Sequence, residues 1–209
     1  MNSGATAERV YDALKERLLS GDLRPGERLE PARLGEAFAS SVTPVRDALH
    51  RLAGERLVET RTSDGFHLPL VTESGLRALY AWNDDLVRLA VRTWPHGQEM
   101  GRGDALSADA ARATRQLFAL IGARSANAEH GVQLQACSDR LAAARSAERR
   151  VLDAIDPEIR TIATAFDHGA PGELIKLVRA YHRRRIAATP RIAHALYQPD
   201  ANNRFIADL

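Results

Sequence analysis

Ser41, Thr43 and Arg46 are the residues whose types and spacing first suggest chemistry, and that chemistry is recognition of an anion or a base edge. They lie in the run Ser41-Val42-Thr43-Pro44-Val45-Arg46-Asp47-Ala48-Leu49-His50-Arg51-Leu52. Thr43 suits an N-cap and Pro44 a first helical position, where the missing N–H is not needed. Val45, Ala48, Leu49 and Leu52 then recur at three- and four-residue spacing and form one buried face. The opposite face carries Arg46, His50 and Arg51. Hydroxyls, free backbone N–H groups and a helix N-terminus make a phosphate seat, with Arg46 one turn in to reach a base edge or a second phosphate. The plainer alternative is an amphipathic core helix with a solvated face.

Other chemistries leave no trace. The chain has no Gly-rich phosphate loop, no His-Glu-x-x-His, no nucleophile elbow and no paired Cys motif. Its single Cys137 sits among Leu134, Ala136 and Leu141, a setting for a buried inert thiol, and fits a reducing compartment. The expectation is therefore not an enzyme.

The elements that would position the helix follow in order. Ala5 to Ser20 reads as a helix through Val10, Leu14 and Leu18, stopped by Gly21. Residues 21–27 form a turn-rich connector with Pro25-Gly26 as punctuation. Pro31 to Ala39 is a second short helix, with Leu34 and Phe38 at i, i+4. After Gly54 the period changes. Leu57 to Arg61 runs as a strand, Thr62-Ser63-Asp64-Gly65 is a tight turn, and Phe66 to Leu70 is extended again, closed by Pro69. Two short helices joined by a tight turn, then a hairpin, make a helix-turn-helix with a wing whose tip, Asp64-Gly65, can approach the minor groove.

Residues 72–209 read as helical throughout. Helices are expected at Thr72–Val91, Ser107–Gly122, Ala128–Ala154, Asp156–Asp167, Gly172–Ala188 and Pro190–Tyr197, with a loop over His96–Asp104 and a polar tail from Gln198. The fold class is thus mainly α, with a winged helix-turn-helix domain over 1–71 and an all-α bundle over 72–209.

At 209 residues, 44% apolar and 27% charged, the composition is that of a globular protein. No apolar run approaches the roughly 18 residues of a membrane helix and the start lacks an export signal, so the expected location is the cytoplasm, with no membrane partner. The net charge is +2, yet residues 1–70 hold 10 Lys/Arg against 11 Asp/Glu, a net of −1. Any DNA-binding surface must arise from sorting charge between faces, and a dimer would double it.

The order helix, connector, helix, helix, hairpin over residues 5–71 resembles the winged-helix domain of the GntR family of bacterial transcription regulators. Three stretches carry the resemblance: Ser20-Gly21-Asp22-Leu23-Arg24-Pro25-Gly26-Glu27-Arg28-Leu29, Ser41 to Leu49, and Leu52-Ala53-Gly54-Glu55-Arg56-Leu57-Val58, with Gly65 at the wing tip. The resemblance implies DNA contacts at Ser41, Thr43, Arg46 and Gly65, with Asp64 beside them at the tip and Arg33 at the start of the preceding helix. It also implies a double-stranded operator as partner. Where the family has an arginine between Ser and Thr, this chain has Val42, which cannot donate to guanine but can meet a thymine methyl.

The whole chain resembles the FadR or FCD-type subgroup, whose helical domain dimerises, holds a small carboxylate effector and often grips a metal through an Asp and three His. Only His182 matches that ligand set. Arg145-Ser146-Ala147-Glu148-Arg149 and Glu158-Ile159 stand where the other ligands would fall, so no metal and no cofactor is expected. His130, His168 and His194 read as solvated.

With the metal absent, Arg149, Arg150 and His182 facing the bundle interior would bind an acidic small molecule directly; the alternative is that Arg149, Arg150 and Arg183-Arg184-Arg185 form a solvated face. Tyr80 and Trp82 would line a pocket or a dimer seam. The reading is a homodimeric regulator, a repressor, whose helical domain couples an acidic metabolite to operator binding. The rival is a helical ligand sensor or interaction module with a decayed winged helix.

Overall fold

The structure, a computed structural model, describes residues 3–21, 23–62, 64–95 and 106–198. The loop expected at 96–104 and the tail beyond Gln198 lie outside the described residues. The chain divides into two units, residues 1–71 with 196–209, and residues 72–195.

The first unit is a winged helix-turn-helix. Helix α1 (Ser3–Leu19) buries Val10, Tyr11, Leu14 and Leu18, and α3 (Val42–Gly54) buries Val45, Ala48, Leu49 and Leu52. Both stripes follow the helical period and interlock into one core, closed by Leu29, Leu57, Val58, Phe66 and Leu68. Helix α2 (Pro31–Ala37) opens on Pro31 and turns into α3 through Ala39, at φ 48°. The turn is tight because Gly35 has no side chain: a Cβ there would stand 2.9 Å from the Ser40 carbonyl oxygen. The Ser40 N–H donates to the Gly35 carbonyl at 2.8 Å. Across the back, the Tyr11 hydroxyl and the Lys15 ammonium donate to Glu55 at 2.6 and 2.7 Å, and Arg51 lies 3.6 Å over the Tyr11 ring.

Three short strands form the wing: β1 (Arg28–Leu29), β2 (Glu59–Arg61) and β3 (Gly65–His67), ordered β1-β3-β2 and antiparallel throughout. Phe66 faces Leu29 on one side and Thr60 on the other. Gly65, at φ 80°, makes the left-handed step the hairpin needs. The expected hairpin is present; β1, between the connector and α2, is an addition.

The second unit is all helical: α4 (Glu73–Arg92), α5 (Ala110–Ala123), α6 (Ala128–Arg140), α7 (Ala142–Glu148), α8 (Ile155–Asp167) and α9 (Pro171–Tyr197), whose last two residues fall in the first unit. The Thr72 hydroxyl, the Asp109 carboxylate and the Asn127 amide oxygen cap α4, α5 and α6. Helices α5 and α6 meet backbone to backbone, since a Cβ on Gly122 would lie 3.0 Å from the Gly131 Cα.

Two helix limits differ from expectation. The single helix expected over Ala128–Ala154 is broken at Leu141, where the Ser138 carbonyl takes a hydrogen bond from the Arg145 guanidinium at 3.3 Å. The stop expected at Thr189-Pro190 is absent, and α9 runs through Pro190. Proline there removes the donor to the Ile186 carbonyl, but the Thr189 hydroxyl at 3.0 Å and Arg77 Nη1 at 3.3 Å donate to it instead.

Candidate nucleic-acid interface and buried polar core

Helix α3 begins slightly earlier than the Thr43 cap expected: Ser41, extended at φ −73°, ψ 164°, is the N-cap, with no side-chain cap hydrogen bond. Ser41, Val42, Thr43 and Arg46 are all exposed. Among the described residues no ion pair or hydrogen bond engages the hydroxyls of Ser41 and Thr43 or the Arg46 guanidinium. The leading turn thus offers two hydroxyls, unspent backbone donors and one exposed cation, a set suited to phosphate and base-edge acceptors.

The remaining candidates are placed differently. Arg51 is turned back to Glu8 at 2.9 Å and to the Tyr11 ring, so it belongs to the clasp between helices. His50 stands exposed with its ring edge-on to Phe66, centroids 4.9 Å apart. Arg33 is exposed at the start of α2 and paired with Glu30 at 3.3 Å. Gly65 is open, with nothing within 4 Å of where a Cβ would stand. Asp64 is turned into the wing: its oxygens lie 3.0 Å from His67 Nε2 and 3.7 Å from Arg28 Nη1. That carboxylate ties β1 to β3. The buried His67 that receives it was not singled out in the sequence.

In the helical unit, Arg149 and Arg150 do not face the interior, a correction to the sequence reading. Arg149 is exposed and pairs with Asp156 at 3.0 Å; Arg150 donates to the Ala195 carbonyl at 2.7 Å. Helix α7 ends at Glu148, and both arginines follow its last residue at the surface. The interior arginines are Arg145 and Arg185, 2% and 0% exposed.

These two belong to a buried polar core. Arg185 Nε donates to Glu148 Oε2 at 2.9 Å and Nη1 pairs with Glu158 at 2.8 Å. The Tyr80 hydroxyl donates to Glu148 Oε1 at 2.6 Å. Arg145 donates to the Ser138 hydroxyl at 3.2 Å and to Asn83 Oδ1 at 3.3 Å, and His182 Nε2 lies 2.9 Å from that same oxygen. Phe118 stacks against the His182 ring, while Arg185 lies 3.4 Å over Tyr181. Burial, reinforced by Glu148, pushes the Tyr80 hydroxyl well up; burial also raises the Glu148 carboxyl, against the pull of Arg185. Asn83 Nδ2, Arg145 Nε, Arg185 Nη2 and the Tyr181 hydroxyl are buried without a hydrogen-bond partner, as is Asp84 Oδ1. Four of these five atoms are donors.

The sequence carried a signal for this core that periodicity alone did not expose. Asn83 occupies an apolar-face position in the series Leu76, Tyr80, Asn83, Val87, and Arg185 does so in Val178, Tyr181, Arg185, Ala188, Ile192. A polar residue at a core position is worth noting because its partners must be buried with it.

Burial holds the His182 imidazole below its ordinary range, opposed by Asp84 3.5 Å away. The unfolded chain then takes up a proton more readily than the folded one. This contribution to stability is complete above about pH 6.5 and is lost as pH falls through the lowered folded value. The unfolding free energy of the helical unit from urea titration should therefore drop between pH 7 and 5, by at most about 1.4 kcal/mol per pH unit, and His182→Gln should flatten that slope. Coincident profiles would exclude the imidazole as its source.

A separate open groove of about 650 Å³ runs between α5 and α8 over Ala110, Ala113, Leu117, Ile159, Ala163 and Phe166; no residue of the polar core lines it. Cys137 is buried, and its thiol is pushed up by that burial. Trp82 is 45% exposed, whereas Tyr80 is fully buried. Among the described residues no three His, Cys, Asp or Glu gather as metal ligands, and no helix is long and apolar enough to cross a membrane.

Comparison with known proteins agrees with this geometry. Residues 6–68 match the family of bacterial regulatory proteins, gntR family. Over 83 residues, 40% of the chain, the sequence is 30% identical to the HTH-type transcriptional regulator YdhC of Bacillus subtilis and 34% identical to the HTH-type transcriptional regulator McbR of Escherichia coli. Those alignments cover 37% and 38% of the two relatives' own lengths. In fold the likeness reaches further. A putative GntR transcriptional regulator from Rhodococcus superposes with a TM-score of 0.73 over 90% of this chain and 98% of its own, at 16% identity. The structure of E. coli McbR gives 0.62 over 89% and 97%, at 19% identity. The fold is therefore a GntR-type winged helix followed by a helical domain, and within the N-terminal unit residues 6–68 match the gntR family.

Proposed function

We propose that the chain is a DNA-binding transcription regulator, a repressor that acts in the cytoplasm as a homodimer. The observation that carries this reading is the leading edge of α3, where Ser41, Thr43 and Arg46 stand exposed and unengaged on a gntR-family domain. Two copies would set their α3 helices in successive major grooves of a two-fold operator. Arg33, at the start of α2, and the open Gly65, at the wing tip, would add contacts of their own; Asp64, already held by Arg28 and His67, shapes the wing rather than touching phosphate.

The helical domain would supply the control. Buried donors of Asn83, Arg145, Tyr181 and Arg185 stand beside His182 without partners, which suits a small acidic effector better than a cationic one. Such a ligand shifts the operator equilibrium only as far as it favours one arrangement of the dimer over the other.

The test is selection from a random duplex pool with the purified protein, followed by binding of the enriched duplex at two salt concentrations, with and without a panel of small carboxylates. A two-fold sequence should emerge, and Arg46→Ala should weaken its binding by about 1–3 kcal/mol. A carboxylate that releases the duplex supports the effector. No enrichment, with weak salt-sensitive binding alone, would favour the rival reading of a helical sensor whose winged helix no longer reads DNA, in keeping with the net charge of −1 over residues 1–70.

A further inference from the structure

Val42 is a large apolar side chain, 39% exposed, at the first position of a 13-residue helix. It stands one turn before Val45, at the edge of the core stripe of α3, and outside the buried set that begins there, so part of it faces solvent. Its neighbours are the hydroxyls of Ser41 and Thr43, the unspent N–H groups of the helix start, and Arg46. This is the surroundings of an anionic partner, not of an apolar one. An isolated pair of methyl groups set among donors matches the major-groove edge of one base alone, since thymine presents an O4 acceptor beside a C5-methyl. The side chain is also stiff, because branching at Cβ restricts χ1, so its methyls are held in place rather than folded away.

Spacing fixes where such a contact would fall. Val42 and Arg46 are four residues apart and share a helix face. Their Cα atoms are separated by roughly 6 Å along the axis, against roughly 3.4 Å between base pairs. We infer that Val42 reads the methyl group of a thymine in the major groove, within about two base pairs of the pair met by Arg46. This rests on the proposal that α3 binds DNA and names the base it selects.

The experiment starts from the duplex enriched by selection and replaces each thymine of a half-site in turn by deoxyuridine, which removes the C5-methyl and nothing else. One position per half-site should weaken binding of the natural protein about four-fold, the worth of one buried methyl. At that position Val42→Ala should bind the thymine and deoxyuridine duplexes equally. Its urea midpoint should match that of the natural protein, because Val42 is outside the core. If no thymine is sensitive to loss of its methyl, or if the sensitivity persists in Val42→Ala, the inference fails while DNA binding by α3 stands. If no duplex is enriched at all, it is the DNA-binding proposal that fails.

Discussion

Glu148→Ala is expected to destabilise the helical unit by about 3–5 kcal/mol, the loss that follows when one member of a buried ion pair is removed. Glu148 is 2% exposed and accepts from both Tyr80 and Arg185. Without it, Arg185 keeps Glu158 at the half-open end of the cluster, but its Nε joins Nη2 as a buried donor with nothing to meet. Arg185 is fully buried, so water cannot replace the carboxylate without opening the bundle.

The comparison that separates charge from volume is Glu148→Leu with Arg185→Met. Removing both charges should recover much of the loss, since an apolar pair of similar size escapes the desolvation cost of both ions. Urea midpoints of the two single variants and the double variant give the coupling directly. A cost below about 1 kcal/mol for Glu148→Ala would mean that the pair behaves as a solvated one.

Gly35→Ala is the second large effect, and its sign runs against habit. Inside a helix, exchanging Gly for Ala ordinarily gains up to about 1 kcal/mol. At Gly35 the new Cβ would meet the Ser40 carbonyl oxygen at 2.9 Å, a backbone atom already fixed by the bond from Ser40 N–H to the Gly35 carbonyl. Neither side can give way cheaply, so overpacking of about 1–3 kcal/mol should outweigh the propensity gain and push α2 from α3. Gly54→Ala is the matching control, because nothing lies within 4 Å of its Cβ position and the ordinary gain should appear. Thermal melting of the winged-helix unit distinguishes the two. Stabilisation by Gly35→Ala would show that α2 and α3 are not locked at this turn.

What the sequence disclosed and what it hid divide along physical lines. Local rules were sufficient where one residue decides. The helix expected from Thr72 starts there, with Thr72 as its cap, the apolar stripe of α3 fell inward, and Gly65 opened the hairpin. They failed where a distant residue decides. Proline 190 reads as a stop, and only Arg77, on another helix, together with Thr189 lets α9 continue. The break at Leu141 has no Gly or Pro to announce it; Arg145 makes it tolerable by binding the carbonyl it exposes.

The interior arginines were misplaced because their buried partners are distant in sequence: Asn83 for Arg145 and Glu148 for Arg185. Even a continuous helix through Leu141 and Arg145 would turn Arg150, five residues beyond Arg145, away from their shared face; Arg145 and Glu148 lie inside and the next two residues are at the surface. Strand β1 was hidden for another reason. Two residues beside Pro25-Gly26 form no period of their own, and only pairing with β3 makes them a strand.

The buried edge of α4 and the stacked end of α5 bear on how the molecule reports its own state to light. The chain has two tryptophans, Trp82 and Trp94, and both are in the helical unit. Their settings contrast: Trp82 is half-exposed, while Trp94 donates its indole N–H to the Ile121 carbonyl and lies under the Arg124 guanidinium. Indole emission therefore follows the bundle alone, and the winged helix, whose described ring chromophores include Tyr11 and Phe66 but no indole, is silent in that channel. Indole emission thus labels the helical unit by composition, so its unfolding can be followed by itself in an unmodified chain.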